Sequence, residues 1–234
     1  MSLSNPATFI TSTRMTLPTR SYAAFLFDMD GTILTSIASA ERTWSAWAVA
    51  HGLDVATFLP TIHGVRTVET IRRLGLPGVD PEVEAAAITA AEIEDVDDID
   101  PIPGAAAFFA SLPADRWTIV TSAPRALAER RLAAAGIPLP DRFIAAEDVT
   151  NGKPAPDCFL LAADRMGVAI ADCLIFEDAP AGIAAADAAG ADVLVITATH
   201  AGGHVLEPGR LSVADYRGLG IVAEAGAMRL VTPG

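Results

Sequence analysis

The apolar run Phe25-Leu26-Phe27 stops at two carboxylates, Asp28 and Asp30, with Gly31 and Thr32 behind them. A short apolar block bounded by turn residues reads as a buried parallel strand, and the carboxyl ends of such strands are where ligands bind in an open α/β sheet. Side chains alternate along an extended chain, so Asp28 and Asp30 share one side and Met29 points away. Two carboxylates that close repel unless a cation or a shared proton lies between them, which makes the pair a candidate for metal-assisted or acid–base chemistry. The plain alternative is a pair of acidic turn residues after a strand.

Other chemistry-bearing types recur after apolar runs. Glu177-Asp178 follows Leu174–Phe176; with Asp28, these residues offer hard oxygen ligands that suit Mg²⁺ with several retained waters. Ser122 and Ala123 stand where a strand turns into a helix, so a hydroxyl and a backbone N–H can hold the oxygens of an anion beside a helix N-terminus. The competing reading makes Ser122 an N-cap, with Pro124 at the first helical position. Lys153 in Gly152-Lys-Pro154 is the only lysine of the chain, against fifteen arginines. Its isolation points to a site that needs a compact ammonium instead of a planar fork.

In this order, Asp28-Met-Asp-Gly-Thr32, Ser122, Lys153 in Gly-Lys-Pro-Ala-Pro156 and Glu177-Asp178 resemble the four motifs of the haloacid dehalogenase superfamily, over about Ala23 to Ile196. The resemblance implies that Asp28 is a nucleophile forming an aspartyl-phosphate and that Asp30 protonates the leaving oxygen, then activates water. It also implies phosphate binding by Ser122, Ala123 and Lys153, and Mg²⁺ binding by Asp28, the main-chain carbonyl of Asp30, Glu177 and Asp178. Gly31 is expected to give a tight bend and Thr32 to steady Asp28. Glu177-Asp-Ala-Pro-Ala-Gly182 resembles the sugar-phosphatase and glycerol-phosphatase side of the superfamily. Glu41-Arg-Thr-Trp44, Trp47, His51-Gly52 and His63-Gly-Val-Arg66-Thr67 are similar to the cap of small sugar phosphatases in the β-phosphoglucomutase-like subgroup, which implies that His63 and Arg66 read the substrate's leaving group. The plain alternative for His63 and Arg66 is an ordinary polar loop before a helix, and Trp44 and Trp47 read as cap core.

The elements that must position these residues follow from periodicity. Helices are predicted over Glu41–His51, Val68–Leu74 stopped by Gly75, and Pro81 to about Val96, with no strand signal between them. From Gly104 onward helix and strand alternate regularly, the signature of a parallel sheet covered on both faces. Strands are predicted at Trp117–Thr121, Phe143–Ala145, Cys173–Phe176 and Val193–Thr197, and helices at Ala105–Leu112, Arg125–Ala135, Ala155–Met166 and Pro180–Ala189. Leu211–Val213 reads as a last strand and Ile221–Val231 as a hairpin, while His200 and His204 fall in a loop. The expected fold is α/β, a Rossmann-like doubly wound parallel sheet core with an inserted α-helical cap. Residues 21–35 and 100–234 form the core, 36–99 the cap, and 1–20 a mobile leader in which Met15 is an alternative start.

Composition limits the partners. A formal charge of −13 and a pI near 4.6 argue against nucleic acid and anionic membrane surfaces, whose binders carry basic patches. No apolar run approaches a membrane span, and the polar first twenty residues lack the apolar block of a secretory signal. Cys158 and Cys173 have no metal-ligand spacing and read as ordinary intracellular residues, so a cytoplasmic location is expected. The expected partner is a small phosphorylated metabolite, and the expected reaction is Mg²⁺-dependent hydrolysis of a sugar or polyol phosphate. The alternatives within the superfamily are a β-phosphoglucomutase and a phosphoglycolate-type phosphatase. A non-catalytic binding protein on the same fold is the alternative of another class.

Overall fold

The structure is a computed structural model that describes residues 17–200, 206–207, 209–224 and 226–232. Strand β1 (Ala24–Phe27) is buried along its whole length, as its unbroken apolar sequence requires. Phe25 and Phe27 project into one core and Ala24 and Leu26 into another, so both faces of the sheet are covered. In chain order there follow β2 (Leu34–Thr35), α1 (Ile37–Ala50), α2 (Val55–Phe58), α3 (Thr67–Leu74), α4 (Pro81–Glu94) and β3 (Asp100–Pro101). The alternating part comprises α5 (Ala105–Ser111), β4 (Trp117–Ile119), α6 (Arg125–Ala134), α7 (Asp157–Met166), β5 (Cys173–Glu177), α8 (Pro180–Ala189), β6 (Asp192–Ile196) and β7 (Ser212–Val213). The hairpin β8 (Gly220–Glu224) and β9 (Ala227–Val231) closes the described chain.

The main sheet is parallel throughout, in the order β4-β1-β5-β6-β7. β1 lies between β4 and β5, so the chain first builds to one side of it and then crosses to the other. The carboxyl end of β1 is therefore the crevice where the strand order reverses, which is the ligand position of a doubly wound fold. The aromatic core of Phe25, Phe27, Phe108, Phe109 and Phe176 fills one face, with Phe27 stacked on Phe176 at 4.3 Å. The other face is mostly aliphatic, with Leu26, Ile175, Val193 and Val195 under α7 and α8 and Phe159 of α7 among them.

Helices α1 to α4 surround a separate core of Trp44, Trp47, Phe58, Ile62, Ile71 and Ile88. Local chemistry sets their ends. Asp80 accepts from the N–H of Glu82 and Val83 ahead of α4, whose first residue is Pro81, and Gly75 takes a left-handed conformation at the end of α3. The short antiparallel pairing of Leu34 with Pro101 and Thr35 with Asp100 joins this helical unit to the sheet. That ribbon, and α2, have no periodic signal in the sequence because each is too short to carry one.

The strand expected at Phe143–Ala145 is reduced to a single bridge between Ile144 and Val120. The hairpin β8–β9 docks through Tyr22, whose backbone exchanges two hydrogen bonds with Met228, each 2.7 Å. Leu17 packs against the aromatic core, so the last residues of the expected leader belong to the folded body. Residues 1–16, including Met15, and His204 lie outside the described residues. Among the described residues no helix is long and apolar enough to cross a membrane.

Candidate active site

Asp28 leaves β1 directly after Phe27, with its backbone N–H donating to the Phe176 carbonyl of β5 at 2.9 Å. Met29 is fully buried in the aromatic core, while Asp28 and Asp30 both line a cavity of about 590 Å³ beneath α1, α4 and the 59–67 loop. Gly31 turns the chain at φ +87°, and a Cβ there would lie 2.0 Å from Oδ2 of Asp178. The glycine is thus required twice, by its conformation and by the carboxylate packed on it. Thr32 departs from the expectation that it steadies Asp28: its hydroxyl donates to Oδ1 of Asp178 at 3.2 Å.

Lys153 is 1% exposed, and its ammonium makes three contacts, at 2.6 Å to Asp28 Oδ1, 2.7 Å to Glu177 Oε1 and 3.2 Å to the Val120 carbonyl. Three donors meet three acceptors from β1, β5 and the end of β4. Glu177 is fully buried and spends its other oxygen, Oε2, on the N–H groups of Asp178 and Ala179. A Cβ at Gly182 would sit 1.5 Å from Glu177 Oε1, which explains the glycine two residues after Pro180.

One ammonium faces more than one carboxylate here. Burial and the neighbouring charge of Glu177 push the Asp28 carboxyl up to about 7, against the pull of Lys153. Asp178 is raised by burial and by the charges of Glu177 and Asp28. Each of Asp28, Glu177 and Asp178 offers an oxygen within 4.8 Å of the others. An all-oxygen, negatively overloaded cluster of this size fits a hard divalent cation such as Mg²⁺. Asp28 and Asp178 carry the charge to be compensated, while Glu177 already receives one ammonium and two amide donors.

Ser122 and Ala123 line the same cavity, but Ser122 does not cap α6: its hydroxyl donates to the Gly64 carbonyl at 3.0 Å, and the residue at the cap position is Pro124. The Ala123 N–H donates to Thr121 Oγ1 at 3.0 Å. His63 lines the cavity. Arg66 does not; its guanidinium donates to the carbonyls of Val149 and Thr150 at 2.9 and 3.1 Å, and it pairs with Glu69 at 3.5 Å. Glu69 in turn accepts from the Gly152 N–H at 3.3 Å, next to Lys153. Arg66 is therefore a tie between the helical unit and the loop that delivers Lys153, in contrast to the expected contact with a leaving group.

Three residues not singled out from the sequence stand in the site. Arg131 of α6 and Glu92 of α4 both line the cavity and are almost wholly buried. Arg131 Nη1 donates to Asp30 Oδ1 at 2.9 Å, and Nη2 lies 3.2 Å from Glu92 Oε1. Burial pushes Glu92 up, against the pull of Arg131. The signal was available: Arg131 follows Leu127 by four residues and Glu92 follows Ile88 by four, so each charge sits on the apolar stripe of its helix. Thr199, beyond β6, also reaches the cluster, with its hydroxyl 3.3 Å from Asp178 Oδ2.

The chain is similar to known proteins in sequence and in fold. Residues 22–190 match the family model described as haloacid dehalogenase-like hydrolase. Hexitol phosphatase A of Escherichia coli is 39% identical over 178 residues, covering 74% of this chain and 82% of that protein. Fructose-1-phosphate phosphatase YqaB of the same organism is 35% identical over 180 residues, covering 74% and 95%. Among solved structures, β-phosphoglucomutase from Clostridium difficile superposes with a TM-score of 0.63 at 25% identity, covering 75% of this chain and 84% of that one. With the matched model spanning most of the chain and the four motifs gathered at one sheet edge, the chain belongs to the haloacid dehalogenase-like hydrolase family.

Proposed function

We propose that the chain is a cytoplasmic, Mg²⁺-dependent phosphatase of small sugar or polyol phosphates that works through an aspartyl-phosphate on Asp28. The observation that carries this reading is the Asp28 carboxylate, held by Oδ1 on Lys153 at the floor of a cavity it shares with Asp30 and Asp178. Tying Oδ1 leaves Oδ2 to attack phosphorus. As the new P–O bond forms, the ester P–O bond breaks and the leaving oxygen takes the proton of Asp30. Asp30, now ionised, accepts a proton from water; the water oxygen bonds phosphorus, the bond to Asp28 breaks, and inorganic phosphate leaves.

Asp28 and Asp178, with Glu177 beside them, would hold Mg²⁺, which supplies the positive charge that lets a carboxylate meet an anionic phosphate. Lys153, in contact with Asp28 and Glu177, supplies further positive charge, and Ser122 with the Ala123 N–H would exchange their contacts to the Gly64 carbonyl and Thr121 for phosphoryl oxygens. On the leaving-group side the cavity presents Trp44, His63, Glu41 and Glu92. The Glu41 carboxylate there can accept from hydroxyls and repel a second phosphate, which supports a neutral polyol in place of a bisphosphate. The names of the hexitol and fructose-1-phosphate phosphatases support the same class.

Turnover of a panel of hexitol, hexose and glycerol phosphates with Mg²⁺ tests the reading. Release of inorganic phosphate is expected. Conversion of β-glucose 1-phosphate to glucose 6-phosphate would give a mutase instead, and inactivity across the panel would leave only a binding protein.

A further inference from the structure

Asp30 is oriented by groups outside the four motifs. Its Oδ1 accepts from Ser36 Oγ at 2.6 Å and from Arg131 Nη1 at 2.9 Å. Two donors fill the lone-pair directions of that oxygen, so Oδ2 is the one left to exchange a proton with a leaving group or a water. Of the two donors only Arg131 is brought from a distant part of the chain, and its side chain is 6% exposed.

Arg131 is costly where it stands. Leu127, Ala128 and Leu132 on the same helix are buried apolar residues, and packing alone would be served by another leucine. Arg131 Nε and Nη2 have no hydrogen-bond partner among the described groups, although Nη2 is within ion-pair range of Glu92. A buried guanidinium with idle donors destabilises the fold relative to an apolar side chain, so stability does not account for it. The idle atoms are shielded from solvent, which argues against a direct grip on substrate. What the guanidinium does complete is the hold on Asp30, with Glu92 of α4 as its counter-charge. The Arg130 Nε contact to the Ile93 carbonyl, at 3.3 Å, joins the same two helices.

We propose that Arg131, held by Glu92, is a positioning residue that ties back Oδ1 of Asp30 and presents Oδ2 to the leaving oxygen. The inference rests on the proposed acid role of Asp30. Steady-state kinetics of Arg131→Gln, Arg131→Lys, Glu92→Gln, Asp30→Asn and the double variant Asp30→Asn/Arg131→Gln, with a sugar phosphate and p-nitrophenyl phosphate, tests it. Arg131→Gln should lower kcat for the sugar phosphate about ten- to a hundredfold, below the full worth of a general acid, with KM within about threefold of wild type. For p-nitrophenyl phosphate kcat/KM should change less than about threefold, because a nitrophenolate leaves without a proton. Arg131→Lys should restore part of the loss, and on the Asp30→Asn background the Arg131 change should add less than about twofold, the mark of residues acting as a unit.

Losses that multiply in the double variant, a raised KM at unchanged kcat, or equal losses in kcat/KM for both substrates would overturn the proposal. Should Arg131→Gln fail to fold, Arg131→Lys and Glu92→Gln carry the same comparison. If Asp30→Asn alone left the sugar phosphate rate unchanged, the acid reading itself would fall. An impaired Asp30→Asn beside a wild-type Arg131→Gln would sink only the inference.

Discussion

Lys153 has three protons to donate and three oxygens to receive them, and the geometry leaves little room for another cation. A guanidinium is planar and wider, so Lys153→Arg should cost at least about tenfold in kcat despite conserving charge. Near-wild-type kinetics would show that any cation suffices. Lys153→Met should be worse for the fold than for most buried sites, because it strands Asp28 and Glu177; losing one partner of a buried pair costs roughly 3 to 5 kcal/mol. Chemical denaturation reads that loss. Gly182→Ala makes a sharper packing test, since the new methyl would overlap Glu177 Oε1 at 1.5 Å. Displacing that carboxylate should lower Tm by roughly 3 to 10 °C, the range for overpacking in a chain of this size, and depress kcat with it. The motif residues were legible because each is a local string whose types announce their chemistry. Arg131 and Glu92 were harder to see, since their role depends on helices α4 and α6 meeting, and only the placement of a charge on an apolar stripe hinted at it.

Several contacts fasten the helical unit to the core, and one of them bears on Lys153. Arg66 and Glu69, at the start of α3, hold the 149–152 loop that leads into Lys153. Arg66→Ala should therefore lower kcat/KM for a sugar phosphate and an aryl phosphate by similar factors, since a misplaced Lys153 affects phosphoryl chemistry whatever the leaving group. A loss confined to the sugar phosphate would return Arg66 to the leaving-group role that its position in the sequence suggests. Periodicity located the long helices and the main strands, with ends shifted by a few residues where caps decide. It did not reveal the β2–β3 ribbon, where Pro101 and Asp100 are poor strand residues paired only because the two ends of the helical segment must come together. Likewise it overstated Phe143–Ala145, where one bridge is all that Val120 leaves to pair.

Across the whole molecule the four motif loops meet because β1 is flanked by β4 and β5, a neighbour relation that local sequence does not encode but the doubly wound topology imposes. If the gathered carboxylates hold Mg²⁺ as proposed, metal binding and stability are both pH-linked. The folded Asp28 carboxyl, at about 7, lies above its unfolded value of 3.8, so between these values the metal-free fold holds a proton that the unfolded chain has lost. Metal-free stability from this group is therefore lost as pH rises through that window, and Mg²⁺ must displace the same proton to bind. The rise in Tm on adding Mg²⁺ should be small near pH 5.5 and grow through pH 7 to 8; a rise independent of pH would remove Asp28 from the ligand set. In the proposed reaction Asp28 carries the phosphoryl group during turnover. Acid-quenched peptide mapping of the enzyme turning over a sugar phosphate with Mg²⁺ tests it most directly. One phosphoryl group is expected on the peptide containing Asp28, absent from Asp28→Asn, which should also be inactive; phosphate release by Asp28→Asn, or a phosphoryl group found on any other residue, would remove Asp28 as the nucleophile.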